Sequence, residues 1–461
     1  MPKRNNPRTG PKYEKPEKAQ EKRSGRAPAR YFNNKGLHVS GYDRTPSTLT
    51  RELEAEGIRI HYESNISEIP GDIPGTFVIY TPAIPENFEE MAYIKGQGYR
   101  YCKRSRALGE IARGQECLAV SGTHGKTTTS TLLAHILTQS GEGCNAFLGG
   151  ISKNYESNLL LSKNQVIVAE ADEFDRSFLQ LFPKLALITA TDADHLDIYN
   201  DHQQVIEAFQ TFASQVDGSG ALVVKQGIKL NLANVEARVY RYSYNTPCDF
   251  YATDITPIEG GRFEFTIIHP AGRIEHCTVG VPGWVNVENA VGACALALLH
   301  GVAPVRIREA LATFKGVRRR FDIRVKEGGA AYVDDYAHHP AELAASISSI
   351  RNIFPGKKIC GIFQPHLYTR TRDFADGFAE SLSKLDILGL LPIYPAREEP
   401  IEGVTSEMIF RKVTIEDKHL IEKEEITDFV RKHRDCCIVT LGAGDIDRFV
   451  GPIEECLKEQ S

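Results

Sequence analysis

Residues 118–137 read LAVSGTHGKTTTSTLLAHIL. An apolar run ends at Gly122, Thr123, His124 and Gly125, and Lys126, Thr127 and Thr128 open a segment of helical periodicity. A strand, a Gly-rich turn and a helix in that order make a phosphate cradle. Turn N–H groups and the helix N-terminus offer partial positive charge to phosphate oxygens. Lys126 would reach the β- and γ-phosphates of ATP, and the Thr127 hydroxyl would face Mg²⁺. Gly122 and Gly125 are three positions apart rather than five, so the loop is a variant.

Acidic residues stand at the next strand ends. In VAEADEFD (168–175) Glu170 follows the apolar run directly, with Asp172 and Glu173 behind it. A parallel sheet delivers its strand C-termini to one edge, so these carboxylates would arrive beside the phosphate loop and could hold Mg²⁺ through oxygen. In ITATDADHLDIY (188–199) His195, flanked by Asp194 and Asp197, could ligate a second metal or simply sit at a helix start. In GVPGWVNVENAVGA (280–293) Asn286 and Asn289 share a helix face. They would either cap the core or hydrogen-bond an adenine edge.

Three further clusters lie C-terminally: RRRF (318–321), DDYAHHPAE (334–342) and QPHLYTRTRD (364–373). Arg and His gathered at strand ends are costly without an anionic partner, and Arg pairs bidentately with carboxylate or phosphate. Each cluster alone could be a surface turn; three in one unit are harder to dismiss.

Elements that would position these residues can be read along the chain. A β-α-β-β pattern over 31–108 suggests a small α/β domain. From 109 to 315 strands ECLAVSG, NQVIVAEAD, LALITAT and GALVVK alternate with helices, as in a parallel sheet covered on both faces. Residues 248–282 read as a β-rich insertion, and NVENAVGACALALLHG as a closing helix. From 316 to 461 strands and helices alternate again, with a helix beginning at RDFADGF, giving a second doubly wound α/β unit. No internal repeat is present.

At 461 residues, 41% hydrophobic and 25% charged, the chain has the balance of an ordinary soluble globular protein. Its cysteines are scattered with no C-x-x-C, against a disulfide framework or zinc site and in keeping with a cytoplasmic location. Neither a signal-peptide pattern nor a membrane-length apolar run is present. Residues 1–30 hold ten Lys or Arg and three Glu, so +7, and the remaining chain carries −5 − 7 = −12. That basic, Pro-containing stretch reads as a disordered tail, and no base-reading pattern makes it a nucleic-acid arm.

GTHGKTTT, EADE, DHLD, PGWVNVENA, RRRF, DDYAHHP, QPHLYTRTRD, YPAREEP and LGAGDI together resemble the Mur ligase family over about 31–461. The resemblance implies an α/β fold of three domains: a Rossmann-like N-terminal domain for a UDP-sugar, a central P-loop-type ATPase and a C-terminal domain that closes on ATP. It implies that ATP phosphorylates the carboxylate of UDP-N-acetylmuramate, and that the amine of L-alanine attacks the acyl phosphate. By similarity Lys126, His195, Arg320 and Asp335 are catalytic. Thr127 and Glu170 would hold one Mg²⁺, His195 a second, and Asn286 and Asn289 the adenine. Asp43, Tyr336, His338, His366, Arg370 and Arg372 are substrate candidates, with Tyr336, His338, His366 and Arg370 around the alanine and Arg370 on its carboxylate. A monomer or weak homodimer is expected.

The chain departs from the family at its start. ARYFNNKG (29–36) is present, but EKAQEKRSGRAP before it lacks the opening strand and the G-I-G-G-I-G-M-S turn. Either the start of the gene is read in a wrong frame, or UDP-sugar binding is lost at that edge. Rival readings are a ligase that reattaches recycled peptide, a nucleotide-binding protein without ligase activity, and a general P-loop kinase or motor.

Overall fold

The structure, a computed structural model, describes residues 26–44, 46, 48–80, 84, 88–192, 199, 201–326, 329–396 and 398–458. Residues 1–25, within which the chain departs from the family pattern, and the cluster at Asp194, His195 and Asp197 lie outside the described residues.

Strands β1 (Ser40–Tyr42) and β2 (Arg59–His61) form one parallel pair, and β3 (Phe77–Tyr80) and β4 (Arg100–Lys103) another. Among the described residues these remain two separate two-stranded sheets. Helix Arg26–Asn34 leads into them; its start corrects the reading of 1–30 as a disordered tail, because Ala27 and Tyr31 on its apolar face pack into the core. Lys35 donates to Ser162 O and Asn164 O of the middle domain, both at 3.1 Å.

The middle domain is built on β5 (Glu116–Ser121), β6 (Asn145–Ser152), β7 (Ser157–Leu160), β8 (Val166–Ala171), β9 (Leu185–Ile188), β10 (Ala221–Lys225), β11 (Arg238–Ser243), β12 (Phe250–Ile258), β13 (Arg262–His269) and β14 (Gly272–Thr278). Their order is β14-β13-β12-β11-β10-β9-β5-β8-β6-β7. Side chains of the central strands sort by parity. Leu118, Val120, Val168 and Leu187 meet helices Lys126–Gln139 and Trp284–His300 on one face. Cys117, Ala119, Ile167 and Ala186 meet Val205, Phe209 and Phe212 of helix His202–Ser214 on the other. Both faces are thus dry, which is why these strands are apolar throughout.

Residues 248–282 are not an insertion. They extend the main sheet: β12 pairs parallel to β11, and β13 and β14 follow antiparallel. The apolar alternate residues Phe265, Ile267 and Ile274 continue the same core, and the turn at Gly260 and Gly261, both at positive φ, reverses the chain.

His135 is buried inside helix Lys126–Gln139, its Nδ1 2.9 Å from Tyr155 Oη and its Nε2 3.1 Å from Ala310 O. Burial pulls its pKa down to about 4. A depressed folded value means stability present above pH 6.5 is lost as pH falls toward 4. That loss should be roughly 2 kcal/mol. Urea unfolding from pH 7 to 4 should show it, and His135→Gln should flatten it.

The C-terminal sheet runs β15 (Asp322–Val325), β16 (Ala331–Asp335), β20 (Cys437–Leu441), β17 (Ile359–Phe363), β18 (Ile387–Leu390), β19 (Lys418–Leu420), parallel except at β15. Helix Tyr368–Leu382 begins four residues before the start read from sequence. Arg370 and Arg372 therefore belong to a helix, which changes direction at the non-helical Phe374. The connection into this domain lies along β6: Arg318 N–H donates to Ile151 O at 2.9 Å, and Lys153 N–H to Gly316 O at 2.9 Å. Lys153 Nζ also reaches Asp322 at 2.6 Å. These bonds set the C-terminal domain over the C-terminal edge of the middle sheet.

Candidate active site

A cavity of about 710 Å³ opens where the two sheets face each other. Thr123 to Thr128 line it from the phosphate loop, Glu170 from the end of β8, and Arg320, Asp335, Tyr336 and His338 from the C-terminal domain. Asn286 and Asn289 line it from helix Trp284–His300.

The loop is shaped by its glycines. Gly122 has φ +131°, and a Cβ there would stand 2.2 Å from Thr189 Oγ1 and 2.7 Å from Ala190 N. Only glycine fits, so Gly122 supports the loop from beneath rather than lining the cavity. Thr123 N–H donates to Ala190 O at 3.1 Å, and Asp192 N–H to the Thr123 hydroxyl at 3.1 Å. Gly125 at φ +81° starts the helix, leaving its first N–H groups for an anion.

Lys126 is held by carboxylates. Its Nζ lies 2.8 and 3.0 Å from the two Glu173 oxygens and 3.5 Å from Asp172. Glu173 is 1% exposed. Burial works against the Lys126 charge, but Glu173, Asp172 and Glu170 outweigh it and hold the ammonium above its ordinary value. Glu173, one of the carboxylates expected near Mg²⁺, is thus the partner of the phosphate-loop lysine.

Glu170 points elsewhere. It accepts the Thr127 hydroxyl at 2.7 Å and Gly149 N–H at 2.7 Å. A Cβ on Gly149 would stand 2.4 and 2.5 Å from the Glu170 oxygens. The neighbouring Gly150 would strike Val317 at 2.6 Å and Thr127 at 3.0 Å. Sequence reading missed β6 and this glycine pair, although FLGGIS beside a phosphate loop is a signal of close backbone approach. Gly149→Ala should displace Glu170 and, with Glu170 as the Mg²⁺ ligand expected from the sequence, raise the Mg²⁺ concentration needed for activity by roughly tenfold at unchanged fold. A magnesium titration of activity with circular dichroism checks it.

Arg320 crosses from the C-terminal domain. Its Nη2 is 3.3 Å from Thr127 Oγ1, and its guanidinium stacks 4.8 Å from the Tyr336 ring centroid. Asp335 ends β16 and accepts Phe321 N–H at 3.2 Å. Burial raises its pKa to about 6, moderated by nearby donors and Arg320. Arg319 at φ +61° and Phe321 at φ +49° are non-glycine residues in left-handed geometry, which places backbone strain at this junction.

Asn289 accepts from Thr129 at 3.2 Å and donates to Asn286 at 3.3 Å, while Asn286 donates to Pro282 O at 2.6 Å. His366 stands beside the cavity, its ring 6.4 Å from His338 and stacked on Tyr394 at 5.8 Å. Arg370 is buried; Arg372 is half exposed and pairs with Asp373 at 2.7 Å. Asp43 follows β1, its N–H bonded to His61 O, in the N-terminal domain away from the cavity wall. Among the described residues no group of three or more His, Cys, Asp or Glu could hold a metal ion. No helix among them is long and apolar enough to cross a membrane.

A phosphate loop on one domain, facing an arginine and an aspartate brought by another, is the arrangement of a nucleotide-dependent enzyme with its site between two domains. Three profiles match in sequence: Mur ligase family, catalytic domain over 24–116; Mur ligase middle domain over 120–297; and Mur ligase, glutamate ligase domain over 319–444. The chain belongs to the Mur ligase family and is an ATP-dependent ligase. Among particular proteins, it is 51% identical over 439 residues to UDP-N-acetylmuramate–L-alanine ligase of Parabacteroides distasonis, covering 94% of each chain. The UDP-N-acetylmuramate-alanine ligase MurC from Thermotoga maritima superposes with a TM-score of 0.75 at 24% identity, over 95% of this chain and 97% of that one. A murein peptide ligase from Psychrobacter arcticus gives 0.63 at 20% identity, over 94% and 96%. These two structures share the fold.

Proposed function

We propose that the chain joins L-alanine to the carboxylate of UDP-N-acetylmuramate, driven by ATP. The carrying observation is the 51% identity, over 94% of both chains, to a protein of that name. The cavity supplies matching chemistry. A carboxylate resists amine attack because oxide is a poor leaving group; transfer of the γ-phosphoryl group gives an acyl phosphate with a good one. The Thr127 hydroxyl and the Glu170 carboxylate offer hard oxygen donors side by side, which fits Mg²⁺. Bound there, Mg²⁺ would neutralise phosphate charge. Lys126 and Arg320 would neutralise the rest from opposite domains, so full charge stabilisation requires closure. Asn286 and Asn289 are proposed at the adenine, and Tyr336, His338, His366 and Arg370 at the alanine. The domain division proposed is 31–108, 109–315 and 316–461.

Phosphate release measured with each substrate omitted in turn tests this reading. Release should require both the sugar nucleotide and L-alanine. Turnover with tripeptide but not L-alanine would instead make the chain a recycling ligase.

A second reading, with nucleotide bound but the sugar nucleotide held weakly, draws on the separation of β1–β2 from β3–β4 among the described residues. It expects a KM for UDP-N-acetylmuramate above about 1 mM beside an ordinary KM for ATP. A micromolar value would dismiss it.

A further inference from the structure

Helix Pro340–Ile353 starts where the C-terminal domain meets the phosphate loop, with His339 as N-cap and Glu342 in the first turn. A glutamate at this position commonly reaches back to a backbone N–H at its own helix start. One oxygen does so: Glu342 Oε2 accepts His338 N–H at 3.0 Å. The other does something that a helix cap does not need. Glu342 Oε1 lies 3.1 Å from Nδ1 of His124, which is 218 residues away on the phosphate loop of the middle domain. The His124 ring also packs 4.8 Å from His339.

Both side chains are largely enclosed, at 18% and 16% exposure. Burial pushes the Glu342 carboxyl upward, but His338, His124 and Arg320 outweigh it and hold the group well below its ordinary value. An ionised carboxylate can only accept, so Nδ1 of His124 carries the proton. The bond therefore fixes the imidazole's orientation, with Nε2 turned toward Asp192 at 3.5 Å. It joins two domains, so it exists only while they are together.

We propose that Glu342 is a positioning residue that holds His124 of the phosphate loop when the C-terminal domain closes, so that closure itself completes the nucleotide site. Arg320 delivers charge across the same interface; Glu342 delivers geometry. The proposal deepens the ligase reading and rests on it.

The chain's single tryptophan provides the probe, because Trp284 lines the same cavity. ATP with MgCl₂ would be titrated by Trp284 fluorescence into the full-length wild type, His124→Ala, Glu342→Gln and the double variant. Steady-state phosphate release would be measured alongside. Glutamine keeps one oxygen for the His338 N–H, so the helix start survives while the bond to His124 is weakened. Each single change should lower kcat/KM for ATP by about tenfold, and the double variant should be no worse than the poorer single. Melting temperature reports the fold; should Glu342→Gln lower it too far, Glu342→Asp carries the same cycle. Multiplying effects in the double variant, or an unchanged kcat/KM in Glu342→Gln, would overturn the proposal. The fluorescence titration needs no acceptor. A wild type that binds ATP but releases no phosphate with any acceptor therefore defeats the ligase reading, whereas independent effects on ATP binding defeat only the role of Glu342.

Discussion

Lys126→Ala should abolish ligation and also weaken the fold. In the proposed reaction the lysine would neutralise the phosphoryl group that moves, and losing such a contact should lower kcat by about 10³-fold. The second effect follows from Glu173. Lys126 is its partner at 2.8 Å, and Glu173 is 1% exposed. Removing the ammonium leaves a buried carboxylate without it, at a cost of about 3 kcal/mol. Lys126→Ala/Glu173→Ala should therefore recover much of the stability and none of the activity. Urea unfolding and coupled phosphate release, run on the same three proteins, separate the two effects. A stable, fully active Lys126→Ala protein would remove the basis for the whole site.

Asp335→Asn should move activity and stability in opposite directions. The carboxylate accepts the backbone N–H of Phe321 and feels the charge of Arg320, and burial raises its pKa to about 6 from an ordinary 3.8. A raised value means the folded state prefers the protonated form. Stability is therefore fully present below pH 4 and is lost as pH rises through 6. Asparagine is neutral at every pH and keeps an oxygen for Phe321. Above pH 6 the variant should be more stable by about 1 kcal/mol, after allowing for water reaching a half-buried side chain. Near pH 4 the two proteins should unfold alike. On the proposed reading, ligation at pH 8 should fall by roughly 10²-fold, because the negative charge that attracts Arg320 at the cavity wall is gone. Equal stability at pH 8, or undiminished turnover, would contradict this account.

Much of this site could be read without coordinates, and its legible parts share one property. Gly122 to Thr128 act through a contiguous strand, turn and helix, so local spacing carries the meaning. Glu170 was found because it ends an apolar strand, and parallel strands deliver their ends to one edge. The illegible parts depend on partners far away in the chain. Nothing in EADE says that Glu170 meets Thr127 while Glu173 takes Lys126; the side of the strand end on which each carboxylate falls decides that. Gly149 matters only because β6 lies beside β8. Similarly, β12 to β14 look like a separate β-rich piece until their hydrogen bonds to the edge at β11 are seen.

Sequence by itself determined the α/β class, the phosphate loop with its lysine and threonine, and the family, because turn chemistry and strand or helix period are written in neighbouring residues. Tertiary structure alone decided which carboxylate holds which cation, that Arg320 and Glu342 reach the loop from another domain, and that one sheet spans the middle domain. Those outcomes depend on strand order and domain approach, which are set by packing between segments hundreds of residues apart.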